Sequence, residues 1–345
     1  MKVGPVRCLW LLLILCGLLS TSVGWAGESV RLKGSGASFP FPLYGLWFKE
    51  YGKVNRDVII DYQAKGSGAG IKDFVNKTVD FAASDAAMTD EEMAAVEGGV
   101  QLLPMTAGSI VLAYNLPDGP KELKLSREAY TKIFLGQVTK WNDPAIAQAN
   151  PDAKMPETGI TVVRRADSSG TTFVFTQHLG AISEAWTNGP GTGTTVNWPS
   201  SDKFIASPKN DGVAATIKQT PGAIGYIEYG FAELGKLPMA LLENKAGKFV
   251  KPSLESGQAA LAGVDLPPDL RAWVPDPSGE EAYPIVTYTW MVFHKKYDDP
   301  KKAETIRNVV KYALTDGQKV SGKMGYIPLP DNVVQVVSRA LDNIQ

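Results

Sequence analysis

The sequence predicts an α/β fold in two lobes, and three observations carry that prediction. Short apolar runs of strand character alternate with stretches of helical spacing. Several of those runs end in Gly/Ser loops where a helix begins. Two β-rich segments, 110–115 and 285–294, lie far apart in the chain and read as an outward and a return crossover between lobes.

Taken in order, Val30-Arg31-Leu32 is a strand that runs into Gly34-Ser35-Gly36-Ala37-Ser38. A helix is expected from Pro42, because proline suits a first turn, through Leu43, Leu46, Trp47 and Tyr51. Val58-Ile59-Ile60-Asp61-Tyr62 is the next strand, ending at Gly66-Ser67-Gly68-Ala69-Gly70, and helical spacing resumes at Ile71, Phe74 and Val75. Val79-Asp80-Phe81-Ala82-Ala83 is a strand that ends at Ser84-Asp85. Thr89 and Glu92 form a capping-box pair that opens another helix.

The second lobe runs through 125–135, Trp141-Asn142-Asp143-Pro144, a strand over 159–164 and a helix after Thr171. Residues 189–199 are a Gly/Pro loop, and 223–229 is a buried strand. Helices over 301–315 and 331–341 return to the first lobe. The expected division is therefore 27–110 for the first part of lobe I, 111–284 for lobe II, and 285–345 for the return crossover and the rest of lobe I. Roughly 320 residues after export exceed what one core usually holds, in keeping with two lobes. Paired crossovers make a hinge, and the cleft they span is a natural ligand site.

Residues 1–26 read as a removable secretory leader. Lys2 and Arg7 precede the apolar run 9–19, and Gly24 and Ala26 suit cleavage after Ala26. The run is short for a membrane span. Leu15 stands where a lipoprotein signal before Cys16 prefers a small residue. Both cysteines, Cys8 and Cys16, lie in this leader, so the exported chain has neither disulfide nor thiol chemistry. With His178 and His294 as its histidines, an N/S-ligated metal site is not expected, and no cofactor is implied. Loss of Lys2 and Arg7 leaves 33 basic against 36 acidic side chains. That mild acidity argues against nucleic acid as a partner, and any bound anion must be held by a local site.

Three segments share one design: strand, Gly/Ser loop, helix start. They are 34–39, 66–70 and 167–172. Free N–H groups at a helix start favour an anion, glycine permits close approach, and each hydroxyl adds a donor. None is a phosphate-binding loop of the Gly-Lys-Ser/Thr type. Singly, such a loop is as well explained by plain helix capping. In the third, Val162-Val163-Arg164-Arg165 ends a strand before Ala166-Asp167-Ser168-Ser169-Gly170-Thr171-Thr172. One arginine there could fork onto an oxyanion with Asp167 orienting it, although a surface Arg–Asp pair beside an ordinary cap fits equally well.

The string Arg164-Arg165-Ala166-Asp167-Ser168-Ser169-Gly170-Thr171-Thr172-Phe173 resembles a signature of the PstS-type periplasmic phosphate-binding proteins. So do Gly34-Ser35-Gly36-Ala37-Ser38-Phe39-Pro40, Val79–Asp85, 134–143 and 221–229, in order along the chain. The resemblance implies a periplasmic-binding-protein fold of type II character, and a monomer without enzymatic activity. Such a protein binds inorganic phosphate in the periplasm and passes it to the permease of an ABC importer. It also implies a ligand set. Ala37, Ser38 and Phe39 would give backbone N–H groups and one hydroxyl, and Ser67 its hydroxyl and amide. Arg165 would be the charged fork oriented by Asp167, and Ser169, Gly170 and Thr171 would close the shell.

In the resemblance Asp85 would complete that set and act as a filter. An ionised carboxylate only accepts hydrogen bonds, so it pairs with the O–H that phosphate retains near neutral pH and faces a bare oxygen in sulfate. Outside the resemblance, Asp85 reads simply as the start of a turn. A phosphatase-like relative, or a binding protein for another oxyanion, is the alternative function. Ser38 and Ser169 lack an obvious base for nucleophilic activation.

Overall fold

The computed structural model describes Met1 and residues 29–345; the leader expected over residues 1–26, Met1 aside, lies outside the described residues. The chain opens with β1 (Val30–Gly36), α1 (Phe41–Val54), β2 (Val58–Ala64), α2 (Ser67–Val75), β3 (Phe81–Ser84), α3 (Asp90–Ala94) and β4 (Val100–Asn115). Then come β5 (Lys124–Leu125), α4 (Arg127–Phe134), α5 (Pro144–Ala147), β6 (Thr161–Arg165), α6 (Gly170–Ile182) and α7 (Glu184–Thr187). They are followed by β7 (Phe204–Ser207), α8 (Lys209–Gln219), β8 (Ala223–Glu228) and α9 (Tyr229–Gly235). β9 (Leu241–Glu243), β10 (Phe249–Val250) and α10 (Leu254–Leu261) precede the return strand β11 (Val286–His294). α11 (Pro300–Tyr312), a π-helical turn at Ala313–Gly317, α12 (Gln318–Ser321) and α13 (Asp331–Ala340) end the chain.

Eight strands form one mixed sheet in the order β2-β1-β3-β11-β4-β8-β6-β7, and β10, β9 and β5 form a small second sheet. β4 joins the two halves of the large sheet. Its residues 100–109 pair with β11, and Ile110–Asn115 pair with β8. The expected crossover at 110–115 is thus the second part of a 16-residue strand. β4 and β11 are buried along nearly their whole length. Strands covered on both faces read as continuous apolar runs, which is why both segments stand out in the sequence. The first part of β4 is harder to read because it holds Pro104, which has no N–H to give a ladder. The structure absorbs it with a register shift opposite Thr289 and Trp290.

Local sequence explains the helices. α1 carries Pro42 in its first turn and buries Leu43, Tyr44, Trp47, Phe48 and Tyr51 on one face. Its Trp47 indole donates to the Gly317 carbonyl at 2.9 Å, fixing α1 to the C-terminal segment. The Thr89/Glu92 capping box forms as expected. Ser126, Asp143 and Ser169 cap α4, α5 and α6 with their side chains. The short edge strand β7, with Ile205 and Ala206 exposed, is one element the sequence reading lacks. No helix among the described residues is long and apolar enough to cross a membrane.

Within each half the neighbouring strands run parallel: β1 beside β2 and β3, and β6 beside β7 and β8. The C-terminal ends of β1, β2 and β6 therefore release their Gly/Ser turns, and β3 its Ser84-Asp85 turn, toward the line where the halves meet. That crevice is the usual ligand position in such sheets.

Candidate functional site

Three turns and one strand end bring their polar groups together. β6 ends at Arg165, whose side chain is 1% exposed. Its Nε and Nη2 donate to the two oxygens of Asp167, and Nη1 donates to Thr171 Oγ1 at 3.2 Å. The guanidinium has five N–H donors, so two remain for another acceptor. Asp167 also accepts from the Lys209 N–H at 2.9 Å. Burial disfavours its charge, but the bonds to Arg165 and Lys209 prevail and hold the carboxyl below the usual range. Tyr226 on β8 braces the turn, accepting from the Arg165 N–H and sharing a hydrogen bond with Thr172 Oγ1.

α6 starts directly at this turn. Ser169 accepts the Thr172 N–H as N-cap, and its own N–H goes to the Thr194 carbonyl. Its hydroxyl hydrogen is left to serve an outside acceptor. The N–H groups of Gly170 and Thr171 fall in the first turn, where no intrahelical partner exists. The start of α2 meets this turn from the other half. A Cβ on Gly170 would lie 2.4 Å from Ser67 Oγ and 2.7 Å from Asp85 Oδ2, so a side chain there would separate the halves. Gly66, at φ 96°, would in turn meet Asp167 and the Ser168 carbonyl. Across the same seam the Gly68 N–H donates to the Ser168 carbonyl at 3.1 Å.

Asp85 is 1% exposed. Its Oδ1 accepts from Thr289 Oγ1 at 2.8 Å, and its N–H donates to Ser67 Oγ. The Asp85 carboxyl is pushed up to about 7 by burial, against the Thr289 hydrogen bond and the Arg165 charge, while the Asp167 charge adds to the rise. Thr289 reaches it because it stands at the register shift in β11, one residue before the Trp290–Ser84 pair. With Oδ1 engaged, Oδ2 is the carboxyl's outward acceptor, facing the α6 start.

The turn after β1 supplies Ser38 and Phe39, both buried. Among the described residues, the N–H groups of Ser38, Phe39 and Ser67 donate to no protein acceptor. Ser38 Oγ accepts from the backbone N–H and the side-chain Nδ2 of Asn210 at 3.2 and 3.1 Å.

Every site residue expected from sequence falls in this cluster, with one correction of role. Ala37 does not have an N–H to offer: it donates to the Ala83 carbonyl at 2.8 Å as the β1–β3 ladder ends. Its carbonyl accepts the Tyr62 hydroxyl. Ala37 shapes the turn and leaves the donating to Ser38 and Phe39.

Asn210, Lys209 and Thr289 are participants that sequence reasoning missed. Pro208-Lys209-Asn210-Asp211-Gly212 reads as an ordinary turn before a helix, and Thr289 as one residue in a β-rich run. Only the packing of α8 and β11 brings them here. The two histidines lie elsewhere. His178 is held between the Tyr130 hydroxyl and the Pro275 carbonyl, and His294 stacks on Phe74.

The arrangement can accept an anion of several oxygens. Five unengaged backbone N–H groups, four hydroxyls and part of one guanidinium face a single carboxyl oxygen, and both halves contribute. Comparison with known proteins points the same way. A sequence model of the PBP superfamily domain matches residues 21–316. The phosphate-binding protein PstS of Pasteurella multocida is 35% identical over 327 residues, covering 94% of this chain and 93% of that protein. PstS of Methanocaldococcus jannaschii is 37% identical over 345 residues, covering 92% and 87%. Among solved structures, a high-affinity periplasmic phosphate-binding protein bound with phosphate superposes at a TM-score of 0.75, with 22% identity over 90% of this chain and 93% of that one. A phosphate-binding protein from Stenotrophomonas maltophilia gives 0.74 at 20% identity, covering 90% and 94%. By sequence over more than nine-tenths of its length and by fold, this chain belongs to the PstS family of phosphate-binding proteins.

Proposed function

We propose that this protein captures one inorganic phosphate ion between its two lobes in the periplasm and hands it to the permease of an ABC importer, with no chemistry of its own. The lobes are 27–110 with 285–345, and 111–284, joined through β4 and the approach to β11. One observation carries the reading: a buried cluster in which donors from both halves face the Asp85 carboxyl. Donors alone would suit any oxyanion. The carboxyl suits one that still carries a proton, and Asp85 Oδ2 is the group that would accept it.

Ser38, Phe39, Ser67, Ser169, Gly170, Thr171 and Arg165 would hold the ion's oxygens, with Asp167 orienting Arg165. Because each lobe supplies part of the shell, the ion binds the closed form better than the open one, and that difference drives closure. Export by the 1–26 leader would place the monomer in the periplasm. A phosphatase reading is disfavoured by the hydroxyls themselves. Ser38 Oγ sits against the Asn210 amide and Ser169 Oγ against a backbone N–H, and neither is a base.

Calorimetry of ligand-stripped protein against phosphate, arsenate and sulfate tests the reading. Phosphate and arsenate, which both keep a proton near neutral pH, should bind tightly in one-to-one ratio, and sulfate should not bind. Sulfate binding as tight as phosphate, or none by any of the three, would overturn it.

A further inference from the structure

We propose that Asn210 is a positioning residue of the phosphate site, committing the hydroxyls of Ser38 and Thr171, one from each half of the molecule, to donate toward the bound ion. The inference rests on the phosphate reading above and adds a residue that the ligand set lacks.

Asn210 is fully buried at the start of α8. Its amide has one possible orientation. The Glu228 N–H donates to Oδ1 at 3.0 Å, so the oxygen must face β8 and the NH₂ must face the site. The two NH₂ hydrogens then go to Ser38 Oγ at 3.1 Å and Thr171 Oγ1 at 3.3 Å. Ser38 Oγ also accepts the Asn210 backbone N–H at 3.2 Å, and Thr171 Oγ1 also accepts Arg165 Nη1 at 3.2 Å.

A hydroxyl oxygen has two acceptor positions and one hydrogen. Both acceptor positions of Ser38 and of Thr171 are therefore filled by N–H groups. Neither hydroxyl donates to a protein acceptor among the described residues, so each hydrogen is left to serve an oxygen of the ion. Each hydroxyl can then only donate, so a P–O–H hydrogen of the ion aimed at Ser38 or Thr171 would meet a donor, whereas Asp85 Oδ2 can accept it. The same amide spans the seam: Ser38 follows β1, while Asn210 and Thr171 belong to α8 and α6 in the other half. Its bonds to both hydroxyls are available together only when the halves are closed.

Stopped-flow measurement of phosphate association and dissociation on wild type, Asn210→Ala, Ser38→Ala and the double variant tests this. Asn210→Ala should raise the dissociation rate at least tenfold and leave the association rate within about threefold, because the amide acts after closure. In the Ser38→Ala background the same change should cost less than half as much on a logarithmic scale, since half of its target is gone. A side chain that merely supported the fold would lower the melting temperature and act equally in both backgrounds. Asn210→Leu keeps the volume if alanine fails to fold, and the same pattern is expected of it. A dissociation rate within twofold of wild type, or equal effects in both backgrounds, would overturn the inference while leaving the phosphate reading intact. Failure of wild type to bind phosphate would instead remove the reading beneath it.

Discussion

The two halves of the molecule bring different chemistry to the proposed site. The first half contributes backbone N–H groups, the Ser38 and Ser67 hydroxyls and the Asp85 carboxyl, but no cation. The second contributes Arg165, the start of α6 and the Asn210 amide, and it ties up its own acid, Asp167, in holding the arginine. Attraction thus resides in one half and discrimination in the other. In the proposed reading neither surface alone would hold phosphate and reject sulfate, and selectivity would be a property of closure.

The largest effect should come from the discriminating half. Asp85→Asn turns an acceptor into a group that can also donate, and the rejection of sulfate relative to phosphate should relax by up to about 10⁴-fold in competition calorimetry. Unchanged rejection would show that the filter lies elsewhere. The same substitution has a signature without ligand. The folded protein holds the Asp85 proton more tightly than the unfolded chain, about 7 against an ordinary 3.8. Below about pH 4 both states are protonated and the group costs nothing. Between there and about pH 7 the unfolded state ionises first, and the closed, ligand-free fold loses up to about 4 kcal/mol. That cost falls on the closed form and opposes closure without ligand, so small-angle scattering should find ligand-free Asp85→Asn more closed than ligand-free wild type at pH 8 and no different from it near pH 4.

Next comes the attracting half. Arg165→Ala removes the cation and leaves Asp167 without its main partner, and phosphate affinity should fall by about 3 kcal/mol or more, over a hundredfold. A near-normal dissociation constant would take Arg165 out of the site. Gly170→Ala touches neither chemistry and only the fit between halves. The added methyl meets Ser67 and Asp85 from across the seam. Affinity should drop by about 2 kcal/mol while the ligand-free melting temperature barely moves. Equal losses in both would mean that the contact is part of the fold and not of closure.

The smallest effect belongs to the rim. Arg271 donates to the Met88 carbonyl and pairs with Asp90 and Asp269, linking the halves beside the cleft mouth. Asp90 is largely exposed, so Arg271→Ala should cost about 0.5 kcal/mol, read as a roughly twofold faster phosphate release.

How much of this was legible beforehand follows from where each signal lies. β8 and β11 show in the sequence because doubly covered strands are mostly apolar runs rich in β-branched and aromatic residues. The first part of β4 hides behind Pro104 and Thr106, and β7 behind its exposed edge positions. The site's turns are legible because Gly/Ser before a helix is a local pattern. Asp85 needed the family resemblance, since an acid beside an anion makes sense only once a proton is assigned to the ligand. Thr289 lies 204 residues from Asp85, and Asn210 lies 172 from Ser38. No local pattern marks them, and the amide's role follows from which acceptor positions are already full.

The most direct measurement is an atomic-resolution crystal structure of the protein loaded with phosphate. It should show one ion accepting from the N–H groups of Ser38, Phe39, Ser67, Gly170 and Thr171 and from Arg165, with one ion oxygen about 2.5–2.7 Å from Asp85 Oδ2, the spacing of a hydroxyl donating to a carboxylate. An ion bound elsewhere, contacts from one half only, or an Asp85 carboxyl turned away from the ion would contradict the two-sided site.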